Sequence, residues 1–120
     1  MDNEHGACIT IGGEEYELIL TTKATKEMVK RYKNLDNVRK KLSDLDEIVW
    51  LLVLLANQSI LIHNMKNPAA PRTLLTEETL DLLTSPVELL SFSGAIEEAV
   101  TKGAVRKIES EPEKGDGKNS

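Results

Sequence analysis

A chain of 120 residues with 40% hydrophobic side chains is the size of one domain with a modest core. Its formal net charge of -5 and pI near 5.1 argue against a nucleic-acid-binding surface spread over the whole protein. The single cysteine, Cys8, excludes an internal disulfide, and aromatic residues at 3% leave few platforms for stacking single-stranded nucleic acid.

Met1 to Gly6 is polar and is expected to fray. Ala7 to Ile11 and Glu15 to Thr21 alternate polar with apolar residues around Gly12 and Gly13, which supply the positive φ of a tight turn, so this stretch reads as a β-hairpin. Ile9, Ile11, Tyr16, Leu18 and Leu20 form its inward face, and Thr10, Glu15 and Glu17 face water. A lone hairpin is marginal in water, so this face must rest on helices.

Thr21 or Thr22 caps a helix over Lys23 to Leu35, with Ala24, Met28, Tyr32 and Leu35 as its apolar stripe. The opposite side is basic: Lys23, Lys26, Lys30, Arg31, Lys33, Arg39, Lys40 and Lys41 face only Glu27 and Asp36 in charge. Val38, Leu42 and Leu45 continue the apolar spacing as a short separate turn.

The stretch that organises the chain is Asp46 to Met65, predicted to be a helix because it is rich in Leu, lacks Gly and Pro, and opens with acidic residues that meet the positive end of the helix dipole. Ile48, Leu52, Leu55 and Ile62 fall on one face, and Trp50, Leu54 and Leu61 on nearly the opposite one. A helix apolar almost all round has to be buried on most sides. Trp50, Leu54 and Leu61 are therefore either covered within the monomer or turned towards a second copy or a client. Asn57, Gln58 and Ser59 interrupt the apolar run, which falls short of the roughly 20 residues that a bilayer core requires, so no membrane span is expected.

Asn67 to Pro71 closes the central helix. Thr76 caps a short helix from Glu77 to about Leu83, with Leu80 and Leu83 inward. Ser85, Pro86 and Glu88 form a capping-box start to a last helix that carries Leu89, Leu90, Phe92, Ile96, Ala99 and Val100 and ends at Gly103 as C-cap. From Glu109 the tail is charged and without bulky apolar residues. The expected organisation is one domain over 1–108 with a disordered tail over 109–120. Its class is α+β, mainly α: an N-terminal β-hairpin packed on a bundle of about four helices around a long central apolar helix.

No catalytic constellation emerges. His5 and His63 pair with no nucleophile at a recognisable spacing, and one cysteine with two distant histidines fits no zinc pattern. Glu77-Glu78 and Glu97-Glu98 are adjacent acids that point to different sides of a helix and read as solvated charges. The chain reads as a non-enzyme without metal or cofactor. For the basic stretch three readings stand in order: a solvated face, a docking surface for an acidic partner through residues such as Lys30, Arg31 and Lys33, and a nucleic-acid contact. The absence of a leader pattern at Met1 points to the cytosol.

Taken in order, Ile9 to Leu18 with its Gly12-Gly13 turn, the helical middle, and Leu82 to Leu90 leading to Ala95 to Val100 and Gly103 resemble the tail assembly chaperones of long-tailed bacteriophages and related prophages. The likeness covers roughly Ile9 to Gly103. It implies a non-catalytic, self-associating helical protein of the bacterial host cytoplasm that coats the tape-measure protein and is later displaced by tail-tube protein. The working surface would then be apolar helix faces such as Trp50, Leu54 and Leu61. The alternative is a small phage regulatory or nucleic-acid-associated protein that uses the basic segment 23–41.

Overall fold

The computed structural model describes the backbone of residues 6–110 and the side chains of residues 7–104. The chain is α+β and mainly helical, with an N-terminal two-stranded antiparallel hairpin and a long central helix. Strands β1 (Gly6–Ile11) and β2 (Glu14–Ile19) pair so that Ile9 faces Tyr16 and Ala7 faces Leu18. Gly12 and Gly13 have φ of 58° and 85°, the pair of left-handed residues that a two-residue turn needs. Ala7, Ile9, Ile11 and Leu18 are buried, whereas Tyr16 and Glu17 are half-buried. Glu17 is thus less exposed than strict alternation predicts, and Leu20 is buried just beyond the end of β2.

Helix α1 (Thr22–Tyr32) is capped by Thr21, whose hydroxyl accepts from the N–H of Ala24 at 3.0 Å. It ends three residues before the expected Leu35. Lys33 takes φ 80° and returns its N–H to Val29, and the Asn37 amide donates to the Tyr32 carbonyl at 2.7 Å, so side-chain bonds replace the next helical ones. Helix α2 (Asp36–Arg39) is the short separate turn, with Val38 buried.

Helix α3 (Leu45–Lys66) starts at Asp44, whose carboxylate accepts from the N–H groups of Asp46 and Glu47. Ile48, Leu51, Leu52, Leu55 and Ile60 are fully buried, each burial worth about 1.5–3 kcal/mol. By length and composition this 22-residue helix is long and apolar enough to cross a membrane. That differs from the expectation drawn from the unbroken apolar run, because Asn57, Gln58 and Ser59 interrupt the run without adding charge. Here β2 packs against the helix, together with helices α4 (Glu77–Leu83), α5 (Pro86–Ser91) and α6 (Ser93–Ser110). The hairpin bridges two of these helices, since β1 lies mainly on α6 and β2 on α3.

Three sequence expectations fail locally. Leu83 is not inward; it remains more than half exposed and lies over the hairpin turn, where its Cδ1 would be 2.8 Å from a Cβ placed on Gly12. The last helix is two helices, broken at Phe92, because the hydroxyls of Ser91 and Ser93 donate to the Glu88 and Leu90 carbonyls at 2.6 and 2.8 Å. Gly103 is no cap, for α6 continues past it. A Cβ there would stand 2.5 Å from the Leu20 Cβ, so glycine serves the close approach of helix and hairpin. The fraying expected over Met1 to Gly6 and the disorder expected from Glu109 lie mostly outside the described residues; at their inner ends Gly6 instead opens β1, paired with Ile19, and Glu109 and Ser110 close α6.

Gly103→Ala is expected to lower the unfolding free energy by about 1–3 kcal/mol through overpacking against Leu20. Gly94→Ala, which meets nothing within 4 Å, leaves it unchanged or raises it by up to about 1 kcal/mol. Urea unfolding of both variants reads the contrast, and equal stability of the two would contradict the close approach.

Candidate functional site

Most of α3 is covered, but one sector is only partly so. Trp50, Val53, Leu54 and Asn57 are half-buried and Leu61 is exposed, and they line an open groove of about 320 Å³. One bank is α1 at Lys23 and Glu27; the other is Leu74 and Glu77, at the entry to α4. The structure therefore brings Trp50, Leu54 and Leu61 together in one depression and leaves them neither fully buried nor free. Val53 and Leu74, which sequence reasoning did not single out, complete its apolar floor and rim.

The end of the groove at Trp50 is fixed by a cluster between α1 and α3. The Arg31 guanidinium donates to both carboxylate oxygens of Glu47, at 2.9 and 3.2 Å, and the Tyr32 hydroxyl donates to the same carboxylate at 2.7 Å. The Arg31 guanidinium also lies over the Trp50 ring at 4.4 Å, while Tyr32 meets that ring edge-on with centroids 5.8 Å apart. These bonds, from Arg31 first and then Tyr32, hold the Glu47 carboxyl below its usual pKa. Burial, reinforced by the bond to Glu47, pushes the Tyr32 phenol far above its usual range. Arg31 is thus committed to Glu47 and Trp50, Lys30 pairs with Glu27 at 3.9 Å, and Lys33 ends α1, so these three basic residues do not converge on one spot.

The groove's other bank is held by two asparagines. Asn57 donates to the Leu75 carbonyl at 2.9 Å and accepts from the Leu75 N–H at 2.7 Å; Asn64 does the same with Arg72, at 3.0 and 2.7 Å. Each amide thereby satisfies both backbone groups of one residue. Positions 57 and 64 are about 10.5 Å apart along a helix, and residues 75 and 72 about 10 Å apart in an extended chain, so the loop runs back along α3 in register. The signal was present in the sequence as two asparagines one heptad apart beside a proline-bounded loop. Gln58, the one buried polar residue among the described residues, accepts from the Thr21 hydroxyl and donates to the Leu54 carbonyl at 3.1 Å, which ties the α1 cap to α3. His63 bonds the Ala70 carbonyl at 3.1 Å.

Among the described residues no group of three His, Cys, Asp or Glu side chains could hold a metal ion. A second hollow of about 220 Å³ between α2 and α6 is lined by Val38, Val100 and Ala104 and rimmed by the Arg39 to Glu97 pair at 2.8 Å. Both hollows are apolar floors with charged rims, a chemistry suited to side-chain burial. Comparison with protein-family models, with curated proteins and with solved structures finds no match.

Because the folded pKa of Glu47 is depressed, its stabilisation is complete above the pKa it has in the unfolded chain and is lost as pH falls through the folded value. Glu47→Gln is expected to cost about 1 kcal/mol at neutral pH, as befits a partly exposed pair. The gap from wild type closes as pH falls through that window. Urea midpoints measured against pH check this, and a gap that persists unchanged in acid would show that the charge of Glu47 is not what matters.

Proposed function

We propose that this chain is a non-catalytic tail assembly chaperone of a long-tailed bacteriophage or prophage. In the host cytoplasm it would hold the tape-measure protein in a soluble state, self-associate, and release its client to tail-tube protein. The observation that carries the reading is the partly open apolar sector of α3, from Trp50 to Leu61, which gathers Trp50, Val53, Leu54, Leu61 and Leu74 in one groove. That sector spans about 16 Å, three turns of a helix, and a client helix with apolar residues at i, i+3 or i+4, and i+7 would fit along it. The order of a Gly-Gly hairpin, a helical body and a capped carboxy-terminal pair of helices supports the same resemblance.

The second reading, a phage regulatory or nucleic-acid-associated protein, draws on the exposure of Lys23, Lys26, Lys30 and Lys33. Binding to random duplex DNA at low salt separates the two, since phosphate contacts weaken steeply as salt rises.

Co-expression with a tape-measure protein from a long-tailed phage tests the chaperone reading, which expects that client to stay in the soluble fraction only when this chain is present. Leu61→Glu combined with Leu74→Glu alters exposed positions and should cut client retention about tenfold, roughly 1.4 kcal/mol, with the fold intact by circular dichroism. Equal precipitation of the client with and without this protein would sink the assignment.

A further inference from the structure

The charge of this chain is segregated by position, and the two halves face solvent on different helices. Along α1, Lys26, Val29 and Lys30 follow the i, i+3, i+4 spacing of one helix face, Lys33 follows at its C-cap, and all four are exposed. The face lies away from the buried stripe Ala24, Met28 and Tyr32. Between Thr73 and Thr101, by contrast, the chain has no Lys, Arg or His and carries Glu77, Glu78, Asp81, Glu88, Glu97 and Glu98. Glu97 and Glu98 are engaged by Arg39 and Lys102. The four carboxylates of α4 and α5 make no ion pair among the described residues, and neither do Lys26 and Lys33.

The acidic surface is also apolar. Leu82 is 73% exposed and Val87 77%, with Leu90 beside them in sequence also exposed, although Leu80 and Leu89 on the same two helices are buried. On α4 the exposed face reads Glu78, Asp81, Leu82, at i, i+3, i+4, which is the charge complement of the α1 face with an apolar residue among its charges in the same way. Uncovered apolar side chains rimmed by one sign of charge mark an interaction surface, and the opposite sign with its own exposed valine is present on every copy of the same chain.

We propose that the α4–α5 face of one copy docks on the α1 face of a second copy, with Leu82 and Val87 set against Val29 and the carboxylates of α4 against Lys26, Lys30 and Lys33. This specifies the surface for the self-association included in the function proposed above, but it rests on charge and exposure rather than on that assignment. Two different patches meet, so the same contact adds further copies or closes a ring or dimer, according to the angle between the faces.

Paired charge reversals test it, all at exposed positions where folding is not at risk: Lys30→Glu with Lys33→Glu in one variant, and Glu78→Lys with Asp81→Lys in another. Sedimentation velocity at low salt is expected to show wild type associating, with the association weakened about tenfold or more by raising salt past the range where exposed charges still attract. Each variant alone is expected to lose association about tenfold or more, and the two mixed are expected to recover a 1:1 complex. Wild type that stays monomeric at low salt overturns the proposal, as do variants that associate like wild type or a mixture that stays apart while both partners are folded. A monomeric wild type that instead retains duplex DNA or an acidic peptide through Lys30 and Lys33 assigns the basic face to another occupant and overturns it as well. The Leu61→Glu and Leu74→Glu variant should associate normally, so loss of client holding alone leaves the docking of copies standing.

Discussion

The controlling constraint is the need to cover a 22-residue apolar helix with fewer than a hundred other residues. A helix of this composition has no side it prefers to leave in water, so the chain places something different against each flank: β2, α4, α5, α6, and more lightly α1. The polar residues that interrupt it are each given a partner. Gln58 is satisfied by Thr21 and Leu54, and Asn57 by the backbone of Leu75, which avoids the roughly 1–3 kcal/mol cost of a buried unpaired group. Where the cover is thinnest, between α1 and the start of α4, the helix shows the surface on which the functional reading rests.

Electrostatics decides how the lighter contacts hold. Helix α1 meets α3 through few buried side chains, and Arg31, Tyr32, Glu47 and Trp50 supply a directional lock where packing alone is sparse. The lock consumes one of the basic residues that composition offers for binding, and it leaves Lys26 and Lys33 on the far side of α1 without an ion pair among the described residues. The same chain therefore carries a basic helix stabilised on one flank by a carboxylate and exposed on the other, with its balancing acids located on another part of the molecule.

Local chemistry was the most legible part of the fold. The two glycines of the hairpin turn, the Thr21, Thr76 and Ser85 caps, and the acidic start and apolar monotony of α3 each act within a few residues, so their elements follow from the sequence. What did not follow depends on neighbours distant in sequence or on competing side-chain bonds. Gly103 looks like a helix end until Leu20 is known to press on it, and Leu83 looks inward until the hairpin turn is found beneath it. The break at Phe92 comes from two serines bonding back to carbonyls that a helix would otherwise use. At the groove, Trp50, Leu54 and Leu61 were readable from helical phase, whereas Val53, Leu74 and the asparagine anchors appear only once the return loop is laid on the helix.

That return loop has a consequence for how the gene can change. Its anchors match a heptad of helix to three extended residues, a coincidence of pitch and stride that holds only for the present count between Arg72 and Leu75. One residue gained or lost there would leave an amide facing a side chain instead of a peptide group. Added residues are consequently better borne in the bend from Asn67 to Pro71, ahead of these anchors, than between Arg72 and Leu75.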